Sequence, residues 1–306
     1  MNPIFYRTIK ILCAVSTAFV LTACGGAGST VDPFKPTRVI GLGDAYNDVG
    51  LAVGAPFTVR GTSTVSTVLE RVAELFNVGS TGVPVSGATY ATLPSTGVFS
   101  YAMGDSLITT NTAITTDASL SEQVDRLLAD VGTFNSSQDL ILITAGTRDV
   151  RAGIDKTVAV DALMVQLKRL LNANARHILL MQPIERYGSA YVNGALLFTE
   201  EESGQLYDYL SRAGYRGNPI IVTSGPNPGL SSNFNIYTSV NSYSEFSTST
   251  TVPYCPTPAT LTGCTVADGD GTSFATRLFA DNLNLTPAGN RWVALQLFNA
   301  TAQGWR

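Results

Sequence analysis

The chain has 306 residues, of which 44 % are hydrophobic and 14 % charged. That is apolar material for one large core or two small ones. Lys and Arg number 19 against 23 Asp and Glu, and no basic stripe runs through the sequence, which sets nucleic-acid binding aside. Low charge with abundant Ser, Thr and Gly fits an envelope or secreted protein better than a cytosolic one.

The N-terminus is the first readable element. "MNPIFYRTIK" carries Arg7 and Lys10, the apolar run "ILCAVSTAFVL" (11–21) follows, and then "LTACGG". A basic start, a run too short to span a bilayer and small residues at its end describe a secretory signal. "LTAC" resembles a bacterial lipobox. That implies cleavage before Cys24, lipidation of its thiol (as by palmitate) and a membrane partner through the lipid anchor. Gly25 in place of Asp points to the outer membrane. The alternative is an ordinary secretory signal with Cys24 near the cut. Residues 1–23 are thus read as the signal, 24–36 ("CGGAGSTVDPFKP") as lipidated Cys and flexible tether, and 37–306 as one domain. Loss of Arg7 and Lys10 leaves 17 basic against 23 acidic residues, a net charge of about −6.

Within the domain, Val39, Ile40 and Leu42 predict a short buried strand ending at Gly43. Residues 65–76 set Val68, Leu69, Val72, Leu75 and Phe76 on one helical face. Residues 79–103, rich in Gly, Ser, Thr and Pro, read as loops. "SLSEQVDRLLADVG" (119–132) opens with Ser119 and has Glu122 three residues on, a capping box, before the stripe Leu120, Val124, Leu127, Leu128. Strands are predicted at 139–146, 177–183 and 219–225. Helices are predicted at 158–175 (Leu163, Leu167, Leu170 and Leu171 inward) and 199–214, with Thr199 and Glu202 as its box. Residues 226–280 are polar, aromatic and irregular. The last helix takes Thr286 as N-cap and Pro287 as its first residue. Apolar strands alternating with helices predict an α/β fold, a three-layer α/β/α sandwich around a mainly parallel sheet.

With Cys13 in the signal and Cys24 lipidated, Cys255 and Cys264 are two thiols in an oxidising compartment and are expected to form a disulfide, with free thiols as the alternative. No His or further Cys lies near them, so no metal is expected there. "DGDGTS" (268–273) places Asp268 and Asp270 beside glycines, but the later ligands of a calcium loop are absent and a tight turn is the simpler reading.

In open parallel sheets, sites lie at the carboxyl ends of strands. Here those ends run into "GDAYNDVG" (43–50) and "GTRDV" (146–150). "YAMGDS" (101–106) carries a glycine, and "FADNLNLTPAG" (279–289) precedes the last helix. These four blocks, in this order, resemble the SGNH/GDSL hydrolase family over roughly residues 37–303. The resemblance implies a flavodoxin-like sheet and ester hydrolysis without a cofactor. A serine nucleophile, a His–Asp pair and an oxyanion hole would carry the chemistry. Carried over, the nucleophile position is Ala45, the second-block glycine is Gly104, the oxyanion Asn position is Arg148, the acid is Asp281 and the base position is Asn284. A methyl group cannot attack, and an amide takes up no proton at neutral pH.

Ser106, in the letters "GDSL" at 104–107, lies two residues after that glycine and reads as a pocket-wall serine. The single histidine, His177, starts a strand about 17 Å from the strand's other end, at roughly 3.3 Å per residue, too far to act as base. Arg148 is expected to compensate Asp281 and Asp44 as an ion pair or to hold an anionic ligand; an exposed loop arginine is the alternative. Asp44, Arg148, Ser106 and Asp281 form the candidate binding set, and Asp48 reads as a helix N-terminal acid. The sequence therefore favours a lipid-anchored, non-catalytic member that binds a small-molecule, acyl or glycan ligand or a protein partner. An active esterase with a non-standard site and a structural surface lipoprotein are the alternatives.

Overall fold

Strand residues of alternate direction must bury both faces of a central sheet, and the chain supplies them. In a computed structural model, residues 34–60, 66–79, 83–85, 93–185, 189–215, 219–222, 252–255, 264–269 and 273–305 are described. The predicted signal, Cys24, the tether up to residue 33, Asp270 and most of 226–263 lie outside the described residues. Phe34–Trp305 form one compact unit.

Six strands form one sheet: β1 (Arg38–Gly43), β2 (Val83–Pro84), β3 (Gly97–Ser100), β4 (Asp139–Thr144), β5 (Ile178–Met181) and β6 (Ile220–Val222). Their order is β2-β3-β1-β4-β5-β6, and every pairing is parallel. Among the described residues the α-helices are α1 (Val68–Leu75), α2 (Leu120–Val131), α3 (Thr147–Arg151), α4 (Lys156–Asn172), α5 (Val192–Ala213) and α6 (Pro287–Gly304). Ile40, Leu42, Ile141, Ile143, Ile178 and Leu180 face α2, α4 and α5. Val39, Leu140, Leu142, Leu179 and Met181 face α1 and α6. This is the expected three-layer sandwich. Apart from the short β2, the order is the flavodoxin-like one. Connections leave β1 in one direction over one face and in the other direction over the opposite face, as a constant crossover hand requires.

Local signals explain most boundaries. Ser119 and Glu122 form the predicted capping box of α2, Thr67 and Glu70 make a second one on α1, and Thr286 caps α6 with Pro287 following. Three expectations need correction. Residues 79–103 were expected as loops but include β2 and β3, because "GVFS" pairs in register with β1 and burial outweighs its short length. Helix α5 starts at Val192, so Thr199 and Glu202 lie in mid-helix, buried, and cap nothing. Asp48 opens no helix; turns follow it.

The N-terminal edge of the sheet is held by polar and aromatic contacts. Arg38 donates to both carboxylate oxygens of buried Asp139, at 2.8 and 2.6 Å. His177 stacks on Phe34 at 3.5 Å and meets Trp305 edge-on at 4.7 Å, so the first and last described parts of the domain close around it. Burial pushes its pKa down to about 4. Cys255 and Cys264 are disulfide-bonded, their Cα atoms 5.9 Å apart. The cystine packs with Val59, Tyr254 and Ala280. A backbone bond from Cys255 to Ala280 (2.7 Å) ties it to the segment before α6, and one from Arg60 to Cys264 (2.9 Å) ties it to the segment before α1. Asp268 ends a single 3-10 turn. Among the described residues no helix is long and apolar enough to cross a membrane.

Candidate functional site

The topological switch point of this sheet lies between the carboxyl ends of β1 and β4, where such folds place their sites. The two strand ends are in close contact. Gly43 has φ +105°, and a Cβ there would stand 1.6 Å from the Thr144 carbonyl oxygen; only glycine fits. Asp44 N–H then donates to that carbonyl at 3.0 Å. Its carboxylate is buried, accepts from Tyr46 N–H at 3.4 Å, and leaves Oδ2 without a partner among the described residues. Burial pushes its pKa up to about 7, opposed mainly by Thr144 and helped by the charge of Asp149. Ala45, 4 % exposed, presents its methyl group at the position next along. Asn47 donates to the Leu42 and Leu142 carbonyls at 2.9 and 3.0 Å, sewing β1 to β4.

Asp48 caps a turn. It accepts from Gly50 and Leu51 N–H at 2.8 and 2.6 Å, from Ala52 at 3.3 Å and from Gly104 at 2.9 Å. The Gly104 N–H, an oxyanion donor in the family resemblance, is therefore engaged by a carboxylate. The Phe57 ring covers Gly104, since a Cβ there would lie 2.0 Å from it.

Ser106 lies inside the fold. It is buried, donates to the Ala118 carbonyl at 2.8 Å and accepts from the Gln123 amide at 3.0 Å. Gln123 is fully buried. Its Oε1 accepts from Gly43 N–H at 2.7 Å, and its amide also donates to the Gly43 and Ala118 carbonyls at 3.0 and 2.9 Å. One side chain thus joins the end of β1 to the second block. Sequence reasoning missed it, although a polar residue inside the apolar stripe of α2 was the available signal.

Arg148 departs from the expectation. Its ion partner is Asp105, at 2.5 Å; on Asp44 it acts only through space, lowering that carboxyl's pKa slightly. The reason is local. Helix α3 follows directly on Gly146, its N-cap in left-handed conformation, and Arg148 sits in its first turn beside the second block. Asp149 accepts from Ile108 N–H at 3.2 Å, and burial pushes its pKa up to about 6.

Asp281 needs no arginine. Oδ1 accepts from Leu283 and Asn284 N–H at 2.7 and 2.6 Å, and Oδ2 accepts from the Asn284 amide at 2.9 Å. Asn284 thus makes the donor contact that a histidine would make to this acid, and its Oδ1 is buried without a partner among the described residues. Tyr46 Oη donates to the Leu283 carbonyl at 2.9 Å, bringing the first and last blocks together. Arg151 adds a second tie, donating to Glu185 at 2.6 and 2.7 Å and to the Asn282 carbonyl at 2.6 Å. No local signal in the sequence marks that pair. His177 lies at the opposite edge of the sheet. Among the described residues no group of three His, Cys, Asp or Glu could hold a metal ion.

Hydrogen bonds tie the first block to the second and the last, and the Arg148–Asp105 ion pair ties in the third, with Ala45 and Asn284 (2 % exposed) closed from solvent. No family model matches the sequence, and no curated protein matches it. Among solved structures, a lipase/acylhydrolase from Enterococcus faecalis is similar at TM-score 0.43 and 11 % identity, over 87 % of this chain and 95 % of that one. A possible lipase from Chitinophaga pinensis DSM 2588 is similar at TM-score 0.39 and 14 % identity, over 87 % and 98 %. At these TM-scores neither carries an argument about this chain. Its doubly wound α/β fold rests on its own parallel sheet, with the four blocks at the ends of β1 and β4 and ahead of α6.

Proposed function

We propose that this is a lipid-anchored envelope protein with an SGNH/GDSL hydrolase-like domain that acts by binding and does not hydrolyse esters. The observation that supports it best is the pairing of Asp281 with Asn284 at 2.9 Å. The acid is retained and oriented, but its partner takes up no proton, and the attacking position is Ala45. An ester hydrolase of this type needs both an attacking oxygen and a base within hydrogen-bond reach. Ser106 is no substitute, because its hydroxyl is engaged with Ala118 and Gln123. The anchor rests on "LTAC" and Cys24 in the sequence.

Hydrolysis of p-nitrophenyl acetate and p-nitrophenyl octanoate by the purified protein tests the catalytic half. The expected result is no turnover above buffer, since binding without nucleophile and base leaves only weak residual catalysis. Turnover that disappears in Ser106→Ala would overturn it. Detergent partitioning and intact-mass analysis of the protein and of Cys24→Ser, both made in a bacterial host, test the anchor. Equal mass changes and partitioning of the two would overturn it.

A further inference from the structure

Ala45 and Asn284 are closed from solvent, but the surface beside them is not. Two adjoining cavities of about 310 and 330 Å³ flank the loop from Thr109 to Ala118 and share Thr112, Thr115, Thr116 and Asp117 in their walls. Each falls within the range of about 300–1,000 Å³ usual for small-molecule sites. One reaches Phe57 and Asp105, hence the Arg148 pair and the covered Gly104.

The wall chemistry is specific. Thr112 and Thr116 are exposed and offer hydroxyls that both donate and accept, while the Thr110 hydroxyl is shared with Ser119 at 3.0 Å. The first cavity sets the carboxylates of Asp117 and Glu122 against the guanidinium of Arg126, a net negative wall that disfavours an anionic ligand. Both acids already accept protein N–H groups: Asp117 from Asp105 at 2.8 Å, Glu122 from Ser119 at 2.8 Å. Apolar patches sit among these groups, Leu51 and Met103 in one cavity, Val53, Phe57 and Ile114 in the other. A neutral ligand with many hydroxyls and apolar C–H faces matches such a surface; a fatty chain would leave the hydroxyls and charges unmatched.

The loop is also held in shape. Ser106 and Gln123 bond the Ala118 carbonyl, Leu120 N–H donates to Leu107 at 2.8 Å, and Ile114 N–H donates to Asn111 at 3.0 Å. A site already ordered loses less entropy on binding. We infer that this threonine-lined cleft binds a neutral oligosaccharide spanning both cavities. The inference rests on the binding role above and names its ligand class and place.

Calorimetric titration of the purified protein with maltotetraose, cellotetraose and tetra-N-acetylchitotetraose tests it, with decanoate and inorganic phosphate alongside. At least one of the saccharides is expected to bind saturably and raise the melting temperature. The exposed-site variant Thr112→Val/Thr116→Val is expected to weaken that affinity at least tenfold, and Arg126→Ala a few-fold, with the melting temperature of each ligand-free variant unchanged. Silence of all three saccharides overturns the inference. If decanoate or phosphate binds instead, the binding role survives without it; if no probe binds, the binding role falls too. Saccharide binding undiminished in both variants overturns the placement in the cleft.

Discussion

Substitution of Gln123 by Leu probes the joint on which the site is built. The side chain is fully buried and takes part in four hydrogen bonds, with Gly43 N–H, the Gly43 and Ala118 carbonyls and Ser106 Oγ. After Gln123→Leu, Gly43 N–H loses its 2.7 Å acceptor inside the core, at a cost of about 1–3 kcal/mol. The acceptors fare better, because the Gly43 carbonyl keeps Met103 N–H at 3.1 Å and the Ala118 carbonyl keeps Ser106 at 2.8 Å. Three lost bonds at about 1 kcal/mol each are partly offset by the apolar gain of Leu. The net loss is about 3 kcal/mol. For a domain of this size that lowers the melting temperature by about 8 °C. Urea denaturation, followed by tryptophan fluorescence because Trp292 and Trp305 lie in the core, reads the loss as a fall in midpoint at constant slope. A loss under about 1 kcal/mol would show that Gln123 does not hold the first and second blocks together.

Glu202 is buried in α5, and burial raises its pKa from 4.5 to about 8. The folded chain keeps a proton there that the unfolded chain has released, so its contribution is intact below about pH 4.5 and is lost as pH rises to about 8. Glu202→Gln stays neutral. It should equal the parent near pH 4, exceed it at pH 8 and flatten the decline of urea midpoint between them; a midpoint lower than the parent's at pH 8 would refute this. Cys255→Ser/Cys264→Ser opens a link across a sequence separation of 9, with an expected loss of about 2–3 kcal/mol. Reductant should lower the melting temperature of the parent and leave that variant unmoved. Asn284→Asp sets a second carboxylate on Asp281 Oδ2, now 2.9 Å from an amide. The two charges repel at pH 7 and share a proton at low pH, so the variant should lose about 2 kcal/mol of stability at pH 7 and recover most of it at pH 4. An equal deficit at both values would point to packing instead.

Much of the fold is legible in the sequence because its signals are local. The apolar runs at 39–42, 139–144 and 178–181, the Ser119–Glu122 box and Thr286–Pro287 each announce an element whose stability comes from neighbours along the chain or from plain burial. Strand β3 and helix α3 escape, since "GVFS" is a strand only beside β1 and "TRDVR" a helix only after the left-handed Gly146. Thr199 and Glu202 mimic a helix start, but residues 192–198 continue the helix and bury them.

For the site, the sequence by itself determined which atoms are available: a methyl at 45, an amide at 284, an acid at 281 and one distant imidazole. Covalent chemistry belongs to a residue wherever it sits. What only the tertiary structure decided is who meets whom. Arg148 pairs with Asp105 and not with Asp44 or Asp281, Gly104 N–H turns to Asp48, and Gln123 clasps the end of β1. Those contacts join residues up to 80 apart in the chain, and Tyr46 reaches Leu283 across 237. Their partners are chosen by the approach of strand ends and the direction in which a turn aims a side chain, and a linear pattern does not carry that information.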